Sequence, residues 1–125
     1  MKKGIATDNA PAAVGPYSQG IISDNVVFTS GQLPAKANGE LVTDDIAAAT
    51  RQSLENVRSV LAAANAKMDD VMKVTIFLTD MGNFTAVNEV YKEFFGEVPP
   101  ARSCVQVAAL PKGAPIEIEA IARLD

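Results

Sequence analysis

Val71-Met72-Lys73-Val74-Thr75-Ile76-Phe77-Leu78-Thr79 is the stretch on which the fold reading turns. Apolar residues recur at every second position, the pattern of a half-buried strand. The alternation predicts one face made of Met72, Val74, Ile76 and Leu78. Lys73, Thr75 and Thr79 mark the other face, with Phe77 among them.

Helix-period segments lie on both sides of this strand. Upstream, Thr43-Asp44-Asp45 are cap-type residues. Behind them comes a stripe of Ile46, Leu54, Val57, Leu61 and Ala64, with Ala49 and Val60 at its edges. The spacing is near 3.6, so the stripe predicts packing on a sheet, with Arg51, Gln52, Glu55 and Arg58 on the wetter side and Asn65 as the stop. Downstream, Asn83 is the expected cap of a second helix reaching Phe95. Its stripe is Phe84, Val87, Tyr91 and Phe94 with Val90 alongside, ended by Gly96 and Pro99-Pro100.

Further out the pattern returns to strands. Residues 3–7 read as a short edge strand, and 10–17 as a loop punctuated by Pro and Gly. Residues 18–23 and 26–32 read as a hairpin turning at Asp24-Asn25. A loop over 34–40 turns at Asn38-Gly39. Pro99–Val107 and Pro115–Arg123 are the two closing strands. The order β-β-β-α-β-α-β-β predicts an α+β fold with both helices on one sheet face. The other face then needs a cover, for which Phe77, Val105, Val107 and Ile121 are candidates. An apolar second face on so small a domain points to homo-oligomerisation.

At 125 residues and 48% hydrophobic content, the chain reads as one domain spanning residues 1–125. The net charge of −4 disfavours nucleic acid and anionic membranes, whose phosphates need clustered Lys and Arg. One cysteine allows no intrachain disulfide. Residues 1–8 carry two lysines with no apolar signal core behind them, and no apolar run has the length of a membrane span. The expectation is a cytoplasmic protein.

There is no histidine. That removes the usual serine and cysteine triads and histidine-bound metals. Dinucleotide and P-loop glycine motifs are absent, and no cluster has metal-ligand spacing, so neither a metal nor a cofactor is expected. What remains is binding or acid–base chemistry. Arg102 stands at a strand entrance after the stiff Pro99-Pro100 turn, where its planar fork suits a carboxylate. A surface ion pair is the plainer reading. Glu117 and Glu119 alternate with Ile116 and Ile118 and share one sheet face. They form either a solvated face or, if covered, a place where one carboxylate acquires a raised pKa and a general-base role. Cys104 shares the face of Arg102 and needs no role beyond packing. Tyr17, Ser30 and Gly31 are weak signals alone; Gly31 permits close backbone approach to a ligand.

Three segments, in this order, resemble the reactive intermediate deaminase family, also known as the YjgF family. They are Ala10–Gly20 (APAAVGPYSQG), Thr29–Pro34 (TSGQLP), and Pro100–Val105 with Ile116–Ala120 (PARSCV, IEIEA). The resemblance implies a chorismate-mutase-like fold with a six-stranded mixed sheet, and a homotrimer with sites between subunits. It implies hydrolysis of 2-imino acids and their enamine tautomers, released by pyridoxal-phosphate-dependent dehydratases, to 2-oxo acids and ammonia. By motif match, Arg102 binds the substrate carboxylate and Glu117 holds the attacking water. Tyr17, Ser30, Gly31 and Cys104 line the pocket, Gly31 and Cys104 through backbone groups. The alternative is a regulatory protein that binds a 2-oxo acid without turnover. A ribonuclease or translation-inhibitor role, attached to some relatives, is disfavoured by the acidic balance and the missing histidine.

Overall fold

A computed structural model describes residues 1–125. Six strands form one mixed sheet: β1 (Lys2–Ile5), β2 (Gly20–Ser23), β3 (Val26–Thr29), β4 (Val71–Leu78), β5 (Ala101–Gln106) and β6 (Ile116–Arg123). Their spatial order is β1-β2-β3-β6-β4-β5. All pairings are antiparallel except β4–β5, which is parallel. Two helices, α1 (Ile46–Ala63) and α2 (Phe84–Tyr91), complete the predicted order, and a short 3-10 turn carries α2 on to Phe94. The α+β class, the six-stranded mixed sheet and the two helices agree with the sequence reading.

The core lies between the helices and one sheet face. Val27, Val74, Ile76, Leu78, Ile116, Ile118, Ala120 and Ala122 meet Leu54, Val57, Val60 and Leu61 of α1 and Val87 and Val90 of α2. Asp45 caps α1, its Oδ1 accepting from the Ala48 N–H at 2.7 Å. At the other end Asn65 takes a left-handed φ of 64°. The N–H groups of Asn65 and Ala66 return to the carbonyls of Ala62 and Leu61, a Schellman closure.

Four local expectations are corrected. Met72 does not join the core face; it is 45% exposed and Val71 is buried instead. A register irregularity between Val71 and Lys73 places an extra residue in β4, and one extra residue reverses the facing of everything before it. Asn83 precedes α2 but makes no side-chain cap bond; Asp80 caps the preceding turn by accepting from Gly82 N–H at 2.8 Å. Phe84 does not bury with its stripe: it stays exposed beside Arg102. The predicted strand ends are also long. β2 begins at Gly20 and β3 ends at Thr29, beyond which only Gln32 rejoins the sheet, bridging Ile118.

The second sheet face has no helix over it. Phe77, Val107 and Ile121 are half-buried, whereas Val105 and Phe28 are 42% and 44% exposed. Phe28 extends this apolar patch beyond the predicted set. β5 is an edge strand, paired on one side only.

Candidate active site

Glu117 stands on the helix-free face, opposite Phe77 of β4, and Glu119 stands beside it opposite Thr75. The two carboxylates share a face, as their spacing predicts. Burial raises the pKa of Glu117 above the usual carboxylate range, and the like charge of Glu119 adds to the rise. The Gly31 backbone lies directly against this carboxylate. A Cβ at Gly31 would collide with Oε1 of Glu117 and stand 2.7 Å from its Cδ. Glycine at 31 is therefore a requirement of close approach.

Tyr17, Ser30, Gly31 and Glu117 line one cleft of about 680 Å³, together with Val14 and Lys112. Tyr17 is 53% exposed at its mouth. The Ser30 hydroxyl donates to the Ser18 carbonyl at 2.6 Å, which leaves its lone pairs for an incoming donor. Two buried amides hold the walls. Gln19 is hydrogen-bonded to Thr7 N–H and to the carbonyls of Thr7 and Pro11, tying down the loop that carries Tyr17. Asn56 of α1 donates to the carbonyls of Leu33 and Ala35 at 3.0 and 2.7 Å, fixing the opposite loop.

Arg102 belongs to a different place. It opposes Val74 on the helix-covered face, and Cys104 follows it opposite Ile76. Arg102 Nη1 donates to Asn88 Oδ1 at 2.7 Å. Its guanidinium carbon lies 4.9 Å from the Tyr91 ring centre and 5.4 Å from that of Phe84. These contacts border a second hollow of about 460 Å³ that includes Pro99 and Pro100. Burial pushes the Tyr91 phenol up to about 12 against the opposing pull of Arg102, so it stays neutral. Its hydroxyl is buried without a partner. The Cys104 thiol is also pushed up by burial, with Arg102 working against the shift, so it is not an activated thiolate. The ion pairs of the chain are Arg51–Glu93, Arg58–Glu55 and Lys92–Glu89, so the plainer reading of Arg102 as a surface ion pair fails.

Tyr17, Ser30, Gly31 and Glu117 are thus brought together in one cleft, and Arg102 and Cys104 are not brought to them. Gln19, Asn56, Asn88 and Lys112 escaped the sequence reading. Gln19 had a signal, since it lies inside the Ala10–Gly20 motif. Asn56 and Asn88 had none, because a lone asparagine in a helix looks like a surface residue. No group of three or more acidic, histidine or cysteine side chains converges as a metal site, and no helix is long and apolar enough to cross a membrane.

A half-buried carboxylate thus lines one cleft of this α+β sheet, and an arginine without an acidic partner borders another. Residues 7–124 match the Endoribonuclease L-PSP family, and the chain belongs to that family. It is 51% identical over 125 residues to the 2-iminobutanoate/2-iminopropanoate deaminases of Salmonella typhimurium and Escherichia coli K12, covering 98% of this chain and 98% of each relative. The crystal structure of E. coli TdcF with bound serine matches with a TM-score of 0.94 at 48% identity, over 98% of this chain and 99% of that one. The resemblance read from the three motifs is borne out.

Proposed function

We propose that this protein hydrolyses 2-imino acids, with their enamine tautomers, to 2-oxo acids and ammonia. Full-length identity of 51% to deaminases of that name supports the reading. The observation that carries it in the molecule is the raised pKa of Glu117 in a cleft walled by Gly31. A carboxylate made more basic by burial is suited to take a proton from water. A protein that only bound a carboxylate would gain nothing from a second anion in the cleft.

The roles proposed for the site residues are those the family resemblance implies, and the chemistry of an imine agrees with them. An imine carbon is electrophilic, the more so when its nitrogen is protonated. Glu117 accepts a proton from the attacking water and returns it to the nitrogen of the carbinolamine, which then loses ammonia as the oxo group forms. Arg102 anchors the substrate carboxylate through its fork. Tyr17 and Ser30 line the cleft, while Gly31 and Cys104 contribute backbone groups. No step needs a metal or cofactor.

Arg102 and Glu117 lie on opposite faces of one sheet, so a single copy cannot hold one small substrate between them. A site built from two copies can. The exposed Phe28 and Val105 and the free β5 edge favour such packing, and the proposed assembly is a homotrimer with three inter-subunit sites. A cytoplasmic setting belongs to the same proposal.

The test is direct: 2-iminopropanoate is generated in situ and its decay followed with and without the protein. Faster conversion to pyruvate and ammonia is the expected result. Decay unchanged by micromolar protein would leave the 2-oxo acid binding role in its place.

A further inference from the structure

We infer that Asn88 is the positioning residue for Arg102: its neutral amide holds one corner of the guanidinium and leaves the remaining N–H groups free for a substrate carboxylate. The inference rests on the proposed carboxylate role of Arg102 and deepens it.

Phe84, Asn88 and Tyr91 stand at i, i+4 and i+7 of α2, on one helix face. Each touches the same guanidinium: Asn88 by a 2.7 Å hydrogen bond, and the two rings from 5.4 and 4.9 Å. Three contacts from one rigid element fix both the position and the plane of the fork. None of them neutralises it. Asn88 is an amide, Tyr91 stays a neutral phenol, and Glu89 on the next helical position pairs with Lys92 at 2.7 Å. An arginine with a purely structural task is ordinarily satisfied by a carboxylate. Here the charge is held in place and left uncompensated, which is the design of an anion receptor. Arginine has five N–H donors, and Asn88 occupies one nitrogen corner, Nη1, leaving the Nε and Nη2 edge for a two-point grip.

The distinction between amide and acid at position 88 is therefore the test. Asn88→Asp supplies an internal carboxylate that competes with the substrate. The dissociation constant for 2-oxobutanoate by titration calorimetry, and KM for 2-iminopropanoate, should both rise about tenfold or more, with kcat changing less. The melting temperature should hold or rise, because the new pair satisfies Arg102. A residue needed only for folding would show the reverse. Asn88→Ala should give a smaller loss of affinity. It should also free the guanidinium: the Arg102 side-chain nitrogen resonances, resolved by NMR in the native chain, should broaden or average in the variant. The inference is overturned if Asn88→Asp leaves both constants within about twofold of native, or if the Arg102 nitrogens already average in the native protein. Failure of the deaminase reading would show separately, as no turnover by the native chain. The nitrogen resonances would then still decide whether Asn88 holds Arg102.

Discussion

The Arg102 guanidinium and the Glu117 carboxylate lie on opposite faces of the same sheet. Arg102 is in register with Val74 and Glu117 with Phe77, an odd number of residues apart along β4. Their Cα atoms are offset by three residues along the strands and two strand spacings across, on the order of 14 Å. A 2-imino acid spans far less. If both residues act on one molecule, they come from different subunits.

Complementation tests this. Arg102→Ala and Glu117→Gln chains, each inactive alone, should regain activity when unfolded together and reassembled. In a randomly mixed 1:1 trimer about a quarter of the sites would hold both native residues. Activity no higher than in either parent would overturn the site shared between two subunits.

Glu117→Gln should lower kcat by about 10²- to 10⁴-fold, the range of a lost general base, with little change in 2-oxo acid binding. Glu119→Gln should be milder, since Glu119 acts on the water only through its charge on Glu117. Equal losses at both positions would mean that the assignment of the water to Glu117 is wrong.

The raised pKa of Glu117 fixes two pH effects. Activity should fall with acid at a pH above the ordinary glutamate range, because the protonated acid cannot accept a proton. Stability runs the other way. Between the unfolded and the folded pKa the native state holds the proton and the unfolded state does not, so this group lowers stability as pH rises. Glu117→Gln should therefore melt higher than the native chain at pH 7, with the gain vanishing below the unfolded glutamate pKa. A lower melting temperature at pH 7 would mean that the carboxylate is stabilised by a partner.

Gly31→Ala should fold and lose turnover, because its methyl group displaces the Glu117 carboxylate. The expected kcat loss is at least about tenfold, as small misplacements of a reacting group are costly. A variant with native kinetics would show that the carboxylate can act from another rotamer.

Arg102→Lys should be almost as damaging as Arg102→Ala, since lysine lacks the planar fork and cannot reproduce the stacking on Tyr91 and Phe84. Losing one charge-assisted hydrogen bond of roughly 1.5–3 kcal/mol weakens carboxylate binding about tenfold to hundredfold. Cys104→Ser serves as the contrast and should keep most activity, its thiol being held protonated by burial. The two variants are compared by steady-state kinetics on assembled protein; abolished turnover in Cys104→Ser would give that side chain a chemical role.

The sequence by itself determined the elements, because local periodicity reports burial: period 2 over 71–79 and 116–123, and period 3.6 over 46–64. It also determined the shared face of Glu117 and Glu119 and that of Arg102 and Cys104, since both pairs sit two apart in one strand. It did not reveal the bulge that turns Met72 outward, because a bulge is a property of the pairing of β4 with β6. Nor did it reveal Asn88 and Gln19, whose partners lie 14 and 8–12 residues away. Only the tertiary structure decided that β6 enters the middle of the sheet while β5 takes its edge. That order, set by long-range pairing, puts Glu117 against Gly31 on the open face and hands Arg102 to α2 on the covered one.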